Sequence, residues 1–214
     1  MNNAIADIRQ DYRLRSLNET DVAADPITQF GSWWKEAMHS QLEEVNAMTL
    51  ATVSPEGKPA ARIVLLKDYD ANGFVFFTNY DSEKGRDMAA HPFAALVFFW
   101  KDLERQVRIE GTVAKLDAAE SDAYFHSRPQ ASRIGAWASP QSTVVADREE
   151  LEKRYETMQA RFASGNIPRP EHWGGYLVTP TMIEFWQGRP SRMHDRLVYR
   201  LQDTGGWTVA RLAP

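Results

Sequence analysis

Three segments of the 214-residue chain combine cationic and hydroxyl side chains at spacings that suit the binding of small anions. The first is Arg62-Ile-Val-Leu-Leu-Lys67, with Ser82 and Lys84 following at the start of a predicted helix. Alternate residues of a strand face opposite sides, so Arg62 and Lys67 would emerge on different faces. Such a strand would deliver one cation to each of two phosphates. A buried strand bracketed by solvated charges is the simpler interpretation, and this segment alone favours it.

The second segment runs from Tyr124 to Ser132 and supplies a phenol, a guanidinium and a hydroxyl. Tyr124 and Arg128 would share a helix face, and Ser132 would join them if the helix continued past Pro129. The three donors together make a good phosphate site, because a guanidinium offers a planar fork of N–H groups. The alternative is a helix end with an ordinary arginine, which the helix dipole also favours. This segment alone supports both interpretations equally.

The third segment runs from Trp186 to Arg196. If it is extended, Arg192, His194 and Arg196 lie on one face and Asp195 lies on the other. A row of like charges is unfavourable unless an anion lies among them. A helix with a solvated arginine stripe is the alternative, but a proline two positions before Arg192 and an apolar run after Arg196 favour the extended form.

Composition excludes several classes of site and partner. The chain has no cysteine, which rules out disulfides, thiolate catalysis, iron–sulfur clusters and cysteine-based zinc sites. Its five histidines are far apart and form no H-E-x-x-H pair, so we expect no metal site. The net charge of −4, with mixed signs, argues against a nucleic-acid partner. No apolar run suits a membrane span or a secretion signal, so we expect a cytoplasmic protein.

The pattern of apolar and turn-forming residues predicts a mainly β chain. Helices are predicted at 26–45, 82–90, 117–127 and 147–164, with Asp25-Pro26 and Asp117 as starting signals. Strands are predicted at 48–54, 58–67, 74–79, 94–100 and 105–116, followed by three last strands at 176–178 with 183–186, at 197–201 and at 207–212. Strict β–α–β alternation and glycine-rich phosphate loops are missing, so an antiparallel barrel with helices packed outside is favoured. Residues 1–24 are interpreted as a mobile arm and 25–214 as a single domain.

In chain order, these segments resemble the pyridoxamine 5′-phosphate oxidase family. The resemblance begins near Arg9 and covers nearly the whole chain. It rests on R-I-V-L-L-K, F-T-N, L-E-R-Q-V, Y-F-H-S-R-P, I-G-A-W, Q-S, W-G-G-Y, I-E-F-W-Q-G, R-M-H-D-R and the terminal R-L-A-P. It implies an α+β, mainly β fold, an antiparallel split β-barrel of Greek-key type with helices packed around it. It also implies a homodimer with flavin mononucleotide (FMN) at the subunit interface.

The resemblance also implies roles for individual residues. It assigns flavin contacts to Arg62, Ile63, Val64, Leu65, Leu66, Lys67, Phe77, Thr78, Lys84, Gln106, Gln141, Ser142, Trp186 and Arg196. It assigns the substrate phosphate to Lys67, Tyr124, Arg128 and Ser132, the substrate ring to the catalytic pair Arg192 and His194, and a closing lid to Arg9 and Tyr12. The implied reaction transfers a hydride from the C4′ carbon of pyridoxine or pyridoxamine 5′-phosphate to flavin N5. The product is pyridoxal 5′-phosphate, and O2 reoxidises the flavin to give H2O2.

The sequence departs from the family pattern at two positions. Glu83 stands where many relatives carry a basic residue, which would leave flavin phosphate binding to Lys84, Arg62 and Arg86. Met193 replaces a more usual leucine, a volume-conserving change expected to be harmless.

Two rival functions are a flavin-dependent reductase on the same barrel and a non-catalytic protein that binds flavin or pyridoxal phosphate. The full set of substrate-phosphate residues weighs against the reductase, and the presence of Arg192 and His194 against the binding protein.

Overall fold

A computed structural model describes residues 11–40 and 42–214. In this part of the chain the helices are α1 (Pro26–His39), α2 (Glu83–Ala90), α3 (Ala118–Ser127), α4 (Gln130–Ala138) and α5 (Arg148–Arg161). The strands are β1 (Ala47–Val53), β2 (Pro59–Leu65), β3 (Asp68–Asp70), β4 (Gly73–Asn79), β5 (Phe93–Trp100), β6 (Arg105–Lys115), β7 (Trp173–Gln187), β8 (Asp195–Leu201) and β9 (Trp207–Arg211). Short 3₁₀ turns occupy Glu19–Asp21, Lys101–Leu103 and Pro190–Arg192. None of the described helices has the length and apolar character needed to cross a membrane.

The predicted helix starts are confirmed by side-chain caps. Asp25 accepts a hydrogen bond from the backbone N–H of Thr28, and proline occupies the first helical position of α1. Ser82 caps α2, Asp117 caps α3 and Asp147 caps α5 in the same way. Each cap satisfies a backbone donor that the first turn leaves unpaired. Helix α1 ends at His39, earlier than predicted, because Ser40 is extended and its N–H closes the last turn.

The strands form a sheet in the order β2-β1-β5-β6-β7-β4-β3, while β8 pairs with β7 and β9 pairs with β8. The β3–β4, β4–β7, β7–β8 and β8–β9 pairs are antiparallel. The segments predicted at 176–178 and 183–186 belong to one strand, β7, which also includes the residues between them. Its first half pairs with β4 and its second half with β8. Pro180 lies where the partner changes, which is a position that tolerates a missing backbone N–H.

The described residues group into two compact units. The first unit contains the described residues up to Thr49 together with Ala95–Gly111 and Pro180–Pro214. Its core is aromatic, with Phe30 against Phe98 at a ring-centroid distance of 5.4 Å and Trp33 against Phe185 at 5.1 Å. Burial of each such ring stabilises the fold by about 1.5–3 kcal/mol.

The described part of the predicted arm, residues 11–24, packs on this core. Leu17 is buried and its N–H donates to Asp195, while the carbonyl of Ala23 accepts from the hydroxyl of Tyr199. The mobility of the arm and the single domain from 25 to 214 stay predictions.

The second unit contains Leu50–Ala94 and Thr112–Thr179. Its helical side has a core of Phe125, Ile134, Phe162, Ile167 and Trp173. Tyr124, Trp137 and Phe77 pack against this core without being fully buried. The helices α3, α4 and α5 are therefore anchored by aromatic contacts, which holds the loops between them in fixed positions.

Candidate active site

A cavity of about 740 Å³ opens in the second unit, within the size range of small-molecule sites. Many predicted cofactor and substrate residues line it, namely Arg62, Ile63, Val64, Leu65, Lys67, Phe77, Thr78, Lys84, Tyr124, Arg128, Ser132 and Gln141. Residues without a predicted role complete the wall, namely Asn79, Pro129, Gly135, Ala136, Ser139 and Trp173. Segments scattered between positions 62 and 173 of the chain thus meet at one site.

Two cations lie together on one part of this wall. Arg62 comes from β2, and Lys84 lies in the first turn of α2. Burial and the charge of Arg62 lower the pKa of Lys84, while Glu83 and Asp87 oppose this shift. Lys84 Nζ lies 3.2 Å from Gln141 Oε1, which also accepts from Thr78 Oγ1 at 3.1 Å. Neighbouring cations at a helix amino terminus suit an anionic group such as a phosphate.

Arg62 is held by residues behind the cavity wall. Its Nη1 donates to Thr52 Oγ1 at 2.5 Å, and Thr52 in turn donates to Asp87 Oδ2 at 2.6 Å. Asp87 Oδ2 also lies 3.6 Å from Arg62 Nη2, and Asp87 is only 2% exposed. A buried carboxylate therefore orients the guanidinium through a threonine hydroxyl. Sequence analysis missed both Thr52 and Asp87, because neither belongs to a recognisable motif.

The prediction that Arg62 and Lys67 face opposite sides of one strand is wrong. Strand β2 ends at Leu65, so the alternation of side chains does not extend to Lys67. The N–H of Lys67 instead donates to the carbonyl of Val75, and both cations line the same cavity.

Three stacked aromatic rings form another part of the wall. Phe77 lies 3.9 Å from Tyr124, and Trp173 lies 5.6 Å from Phe77, measured between ring centroids. The Arg128 guanidinium lies over the Trp173 ring, 4.5 Å from its centroid. Trp173, which opens the W-G-G-Y motif, belongs both to the buried core and to the cavity wall.

Arg128 is the side chain of this wall with the clearest unmet hydrogen-bonding capacity. Its Nη1 is buried and has no hydrogen-bond partner among the described residues. Burial lowers the pKa of Arg128, while Tyr124 opposes the shift. An arginine is too basic to lose its proton at neutral pH, so the unpaired buried donor favours binding of an anion.

The predicted end of the helix near Ser127 is confirmed, and the continuation past Pro129 that would have placed Ser132 on the same helix face does not occur. Helix α3 ends at Ser127, Arg128 is extended with φ −75° and ψ 150°, and α4 begins at Gln130. Proline disfavours helical geometry in the residue before it, so Pro129 breaks the helix at Arg128. The side chains of Tyr124, Arg128 and Ser132 still line one cavity, because the break redirects the chain.

Another group of predicted residues meets in the first unit. The ring centroids of Trp186 and His194 are 4.6 Å apart, and Tyr12 packs edge-on against Trp186 at 5.7 Å. A Cβ added to Gly188 would lie 2.6 Å from the Tyr12 ring, so this close packing requires glycine. Arg9 lies outside the described residues.

The tautomer of His194 follows from its contact. The backbone N–H of Arg189 donates to His194 Nδ1 at 3.1 Å, so the neutral ring carries its proton on Nε2. Burial and the charge of Arg192 lower the pKa of His194, and Asp195 opposes the shift. His194 is therefore held neutral near pH 7, with Nε2–H as a donor.

The predicted extended conformation of the third segment is only partly correct. Strand β8 begins at Asp195, but Pro190–Arg192 forms a 3₁₀ turn in which Ser191 and Arg192 have φ of 57° and 61°. Left-handed geometry in residues other than glycine costs about 1–3 kcal/mol and is common at functional sites. Arg192 and Met193 are exposed on this turn.

The remaining predicted flavin residues divide between the units. Gln106, Trp186 and Arg196 lie on β6, β7 and β8 of the first unit, and Trp186 and Arg196 face each other in the β7–β8 register. In the second unit, Leu66 is 4% exposed and Ser142 follows Gln141 with φ 69°. Neither belongs to the cavity wall.

The donor set of the cavity fits a flavin mononucleotide. Arg62 and Lys84 suit its phosphate, Thr78 and Gln141 offer polar groups, and the cavity volume allows a ligand of that size. Arg128 Nη1, buried without a partner among the described residues, is a further donor suited to an anionic group.

Comparison with known proteins agrees with this geometry. The family model described as pyridoxamine 5′-phosphate oxidase matches residues 34–162, and the pyridoxine 5′-phosphate oxidase C-terminal dimerisation region matches residues 173–214. The pyridoxine/pyridoxamine 5′-phosphate oxidase of Thermosynechococcus vestitus is 62% identical, covering 98% of this chain and 99% of its own. That of Cupriavidus metallidurans is 59% identical over the same shares.

Solved structures share the fold. PhzG from Burkholderia lata 383, in complex with tetrahydrophenazine-1-carboxylic acid, superposes with a TM-score of 0.88 and 28% identity, covering 96% of this chain and 100% of its own. A pyridoxamine 5′-phosphate oxidase-related, FMN binding protein from Nostoc punctiforme gives a TM-score of 0.67 at 19% identity, covering 86% and 96%. The predicted mainly β, antiparallel split barrel is confirmed. Because both family models match and close relatives align over almost the whole length, the chain belongs to the pyridoxine/pyridoxamine 5′-phosphate oxidase family of oxidoreductases.

Proposed function

We propose that this oxidoreductase uses FMN and O2 to convert pyridoxine or pyridoxamine 5′-phosphate to pyridoxal 5′-phosphate, with H2O2 as the second product. With pyridoxamine 5′-phosphate, water would also be consumed and ammonia released. The observation that supports this most directly is one cavity lined by two sets of phosphate-binding side chains. Arg62 and Lys84 form one set, and Arg128 with its neighbours forms the other. A phosphorylated cofactor and a phosphorylated substrate need two such sets.

FMN would be held by side chains rather than by a glycine-rich loop. Arg62 and Lys84 would bind its phosphate, with Thr78 and Gln141 as further polar contacts. Gln106, Trp186 and Arg196 are the contacts proposed from the first unit. The chemistry that FMN would supply there is acceptance of a hydride from the substrate carbon and transfer of the electrons to O2.

The substrate phosphate would lie against Arg128, Lys67, Tyr124 and Ser132. Arg128 offers a buried donor that has no partner in the described part of the chain, and its guanidinium already lies over the Trp173 ring. Little conformational entropy would then be lost when the phosphate binds. These contacts would fix the substrate in the ground state and the transition state alike.

The substrate ring would lie against Arg192 and His194. Neutral His194 would donate a hydrogen bond from Nε2, and Arg192 would supply a positive charge from an exposed, conformationally strained turn. Tyr12, packed against Trp186, would cover the site and exclude water, with Arg9 as its proposed partner. In this arrangement the protein orients the reacting carbon, and the cofactor performs the oxidation.

A homodimer with FMN at the subunit interface is part of this proposal. The match of residues 173–214 to a dimerisation region supports the dimer.

The test is incubation of the purified protein with pyridoxine 5′-phosphate in air. We expect a yellow protein with about one flavin per chain, and equal amounts of aldehyde and peroxide. Flavin binding without aldehyde formation would point to a reductase or a non-catalytic binding protein. Release of the adenine dinucleotide form of the flavin, or failure to bind flavin after reconstitution, would contradict the cofactor assignment.

A further inference from the structure

Glu184 is a buried carboxylate that the proposed function does not use. It lies on β7, is 2% exposed and accepts hydrogen bonds from two arginines. Its Oε1 receives Arg196 Nε at 2.7 Å, and its Oε2 receives Arg108 Nη2 at 2.9 Å. Burial alone would raise the pKa of Glu184, but the hydrogen bonds and charges of Arg196 and Arg108 outweigh it and lower the pKa. The carboxylate is therefore ionised.

Stability alone does not explain this cluster. Removing charges from water is costly, and replacing a buried ion pair with apolar residues of similar volume is often neutral or stabilising. In β7, the apolar neighbours Ile183 and Phe185 are both completely buried, so the strand has no shortage of apolar packing. A buried charge in such a strand indicates a role in orienting its partners.

The position of Glu184 on the sheet indicates which partner matters. Glu184 and Trp186 are two residues apart on β7, so they share a face, and Arg196 lies opposite Trp186 on β8. Gln106 and Arg108 are likewise two residues apart on β6, which pairs with β7. Glu184 thus belongs to the group that contains all three flavin residues proposed from the first unit.

The contacts of Arg196 leave one end of its guanidinium available. Nε donates to Glu184, and Nη1 donates to the carbonyl of Ala213 at 3.0 Å. Nη2 makes no hydrogen bond to the described residues. Because two of its three nitrogens are anchored, the guanidinium presents Nη2 in a fixed direction.

We propose that Glu184 is a positioning residue for the flavin: it fixes Arg196 for cofactor binding and offsets the charges of Arg108 and Arg196 beside the ring. The inference rests on the proposed binding of FMN. The pairing of Glu184 with Arg196 is similar to the arrangement at Arg62, where buried Asp87 orients the guanidinium through Thr52. Both proposed flavin arginines would then depend on a carboxylate that never touches the cofactor.

The test is a titration of apoprotein with FMN, in which quenching of flavin fluorescence measures binding. The proteins compared are the wild type, Glu184→Gln and Glu110→Gln. Glu110 also pairs with Arg108 but is half exposed, so it is a matched control. Loss of a charge-assisted hydrogen bond predicts that Glu184→Gln raises the Kd for FMN about 10- to 100-fold, while Glu110→Gln leaves it unchanged. Glu184→Asp retains the charge with a shorter reach and should raise the Kd less.

The reduction potential of bound flavin provides a second readout. Reduction makes the flavin more negative, so loss of the Glu184 charge should stabilise the reduced form and raise the potential. Glu184→Gln with the Kd and potential of the wild type would overturn the inference, even if its Tm fell. If Glu184→Gln does not fold, a wild-type Kd and potential in Glu184→Asp would overturn it instead. Failure of the wild type to bind FMN would refute the proposed function itself.

Discussion

Arg128 is oriented by an aromatic ring rather than by a carboxylate. Its guanidinium lies 4.5 Å from the Trp173 centroid, and its Nη1 is buried without a partner among the described residues. Arg62 and Arg196, by contrast, each have a buried carboxylate nearby. A carboxylate partner competes with an incoming anion, whereas an aromatic face does not. In the proposed assignment, Arg128 would bind the substrate phosphate, and Arg62 and Arg196 would bind the cofactor.

Replacing Arg128 with alanine should chiefly raise KM. A charge-assisted hydrogen bond contributes about 1.5–3 kcal/mol, so kcat/KM should fall about 10- to 150-fold. The Kd for FMN should not change, because the proposed flavin contacts are other residues. Steady-state kinetics with flavin content measured in parallel check this result. Arg148→Ala, an exposed change on α5, is the control, and loss of flavin from Arg128→Ala would mean that cofactor and substrate residues are exchanged.

Replacing Arg192 with alanine should lower kcat and shift the acid limb of the pH profile. The charge of Arg192 disfavours protonation of His194, so its removal should raise the pKa of His194. Neutral His194 accepts the Arg189 N–H at Nδ1, and protonation there breaks this contact. The acid limb of kcat/KM should consequently move to higher pH. An unchanged profile with normal kcat would show that Arg192 is only a solvated charge.

At the scale of elements, the amino-terminal cap of helix α2 also fixes the position of a cation on the cavity wall. Ser82 accepts the N–H of Gly85 and donates to the carbonyl of Asn79, which fixes the first turn of the helix. Lys84 lies in that turn and reaches both Ser82 and Gln141. The Ser82 cap therefore both stabilises the helix and positions the Lys84 ammonium group.

Replacing Ser82 with alanine should destabilise the protein by about 1 kcal/mol and also weaken FMN binding. Asp147→Ala removes the equivalent cap from α5, which does not line the cavity, and should cost similar stability without affecting FMN. Denaturant unfolding gives the free energy of unfolding, and fluorescence titration gives the Kd. Equal Kd values for FMN in the two variants would show that the Ser82 cap does not contribute to the cofactor site.

For the whole molecule, cofactor and assembly should depend on each other. In the proposed homodimer FMN lies at the subunit interface, so it binds the assembled state and stabilises that state by mass action. The family match over residues 173–214 supports assembly through the carboxyl-terminal region.

Removal of FMN should therefore shift the protein towards monomer and lower its Tm. At about 100 times the Kd, FMN should add about 2.7 kcal/mol of stability. Sedimentation velocity at several protein concentrations, with and without FMN, measures the effect. A monomer that retains FMN tightly would be incompatible with an interface site.

The sequence alone predicted the starts of four of the five described α-helices, all except α4, and most of the strands. These features are local: a cap such as Asp25 contacts a backbone group only three residues away. Family motifs also gave the correct fold class, because they extend over nearly the whole chain. Most predicted flavin and phosphate residues of the second unit do line one cavity, although their roles stay predictions.

Only the tertiary structure decided how these residues meet and what supports them. Tyr124, Arg128 and Ser132 lie on either side of the helix end before Pro129, yet all three line one cavity. The contact between Arg108 and Glu184 joins residues 76 positions apart, and no local preference encodes such a pairing. The sequence alone does not distinguish Trp173 from a core aromatic residue. Only the tertiary structure shows that it also lies on the cavity wall, against Arg128. Long-range packing selects the supporting partners, because burial and charge pairing depend on which strands become neighbours.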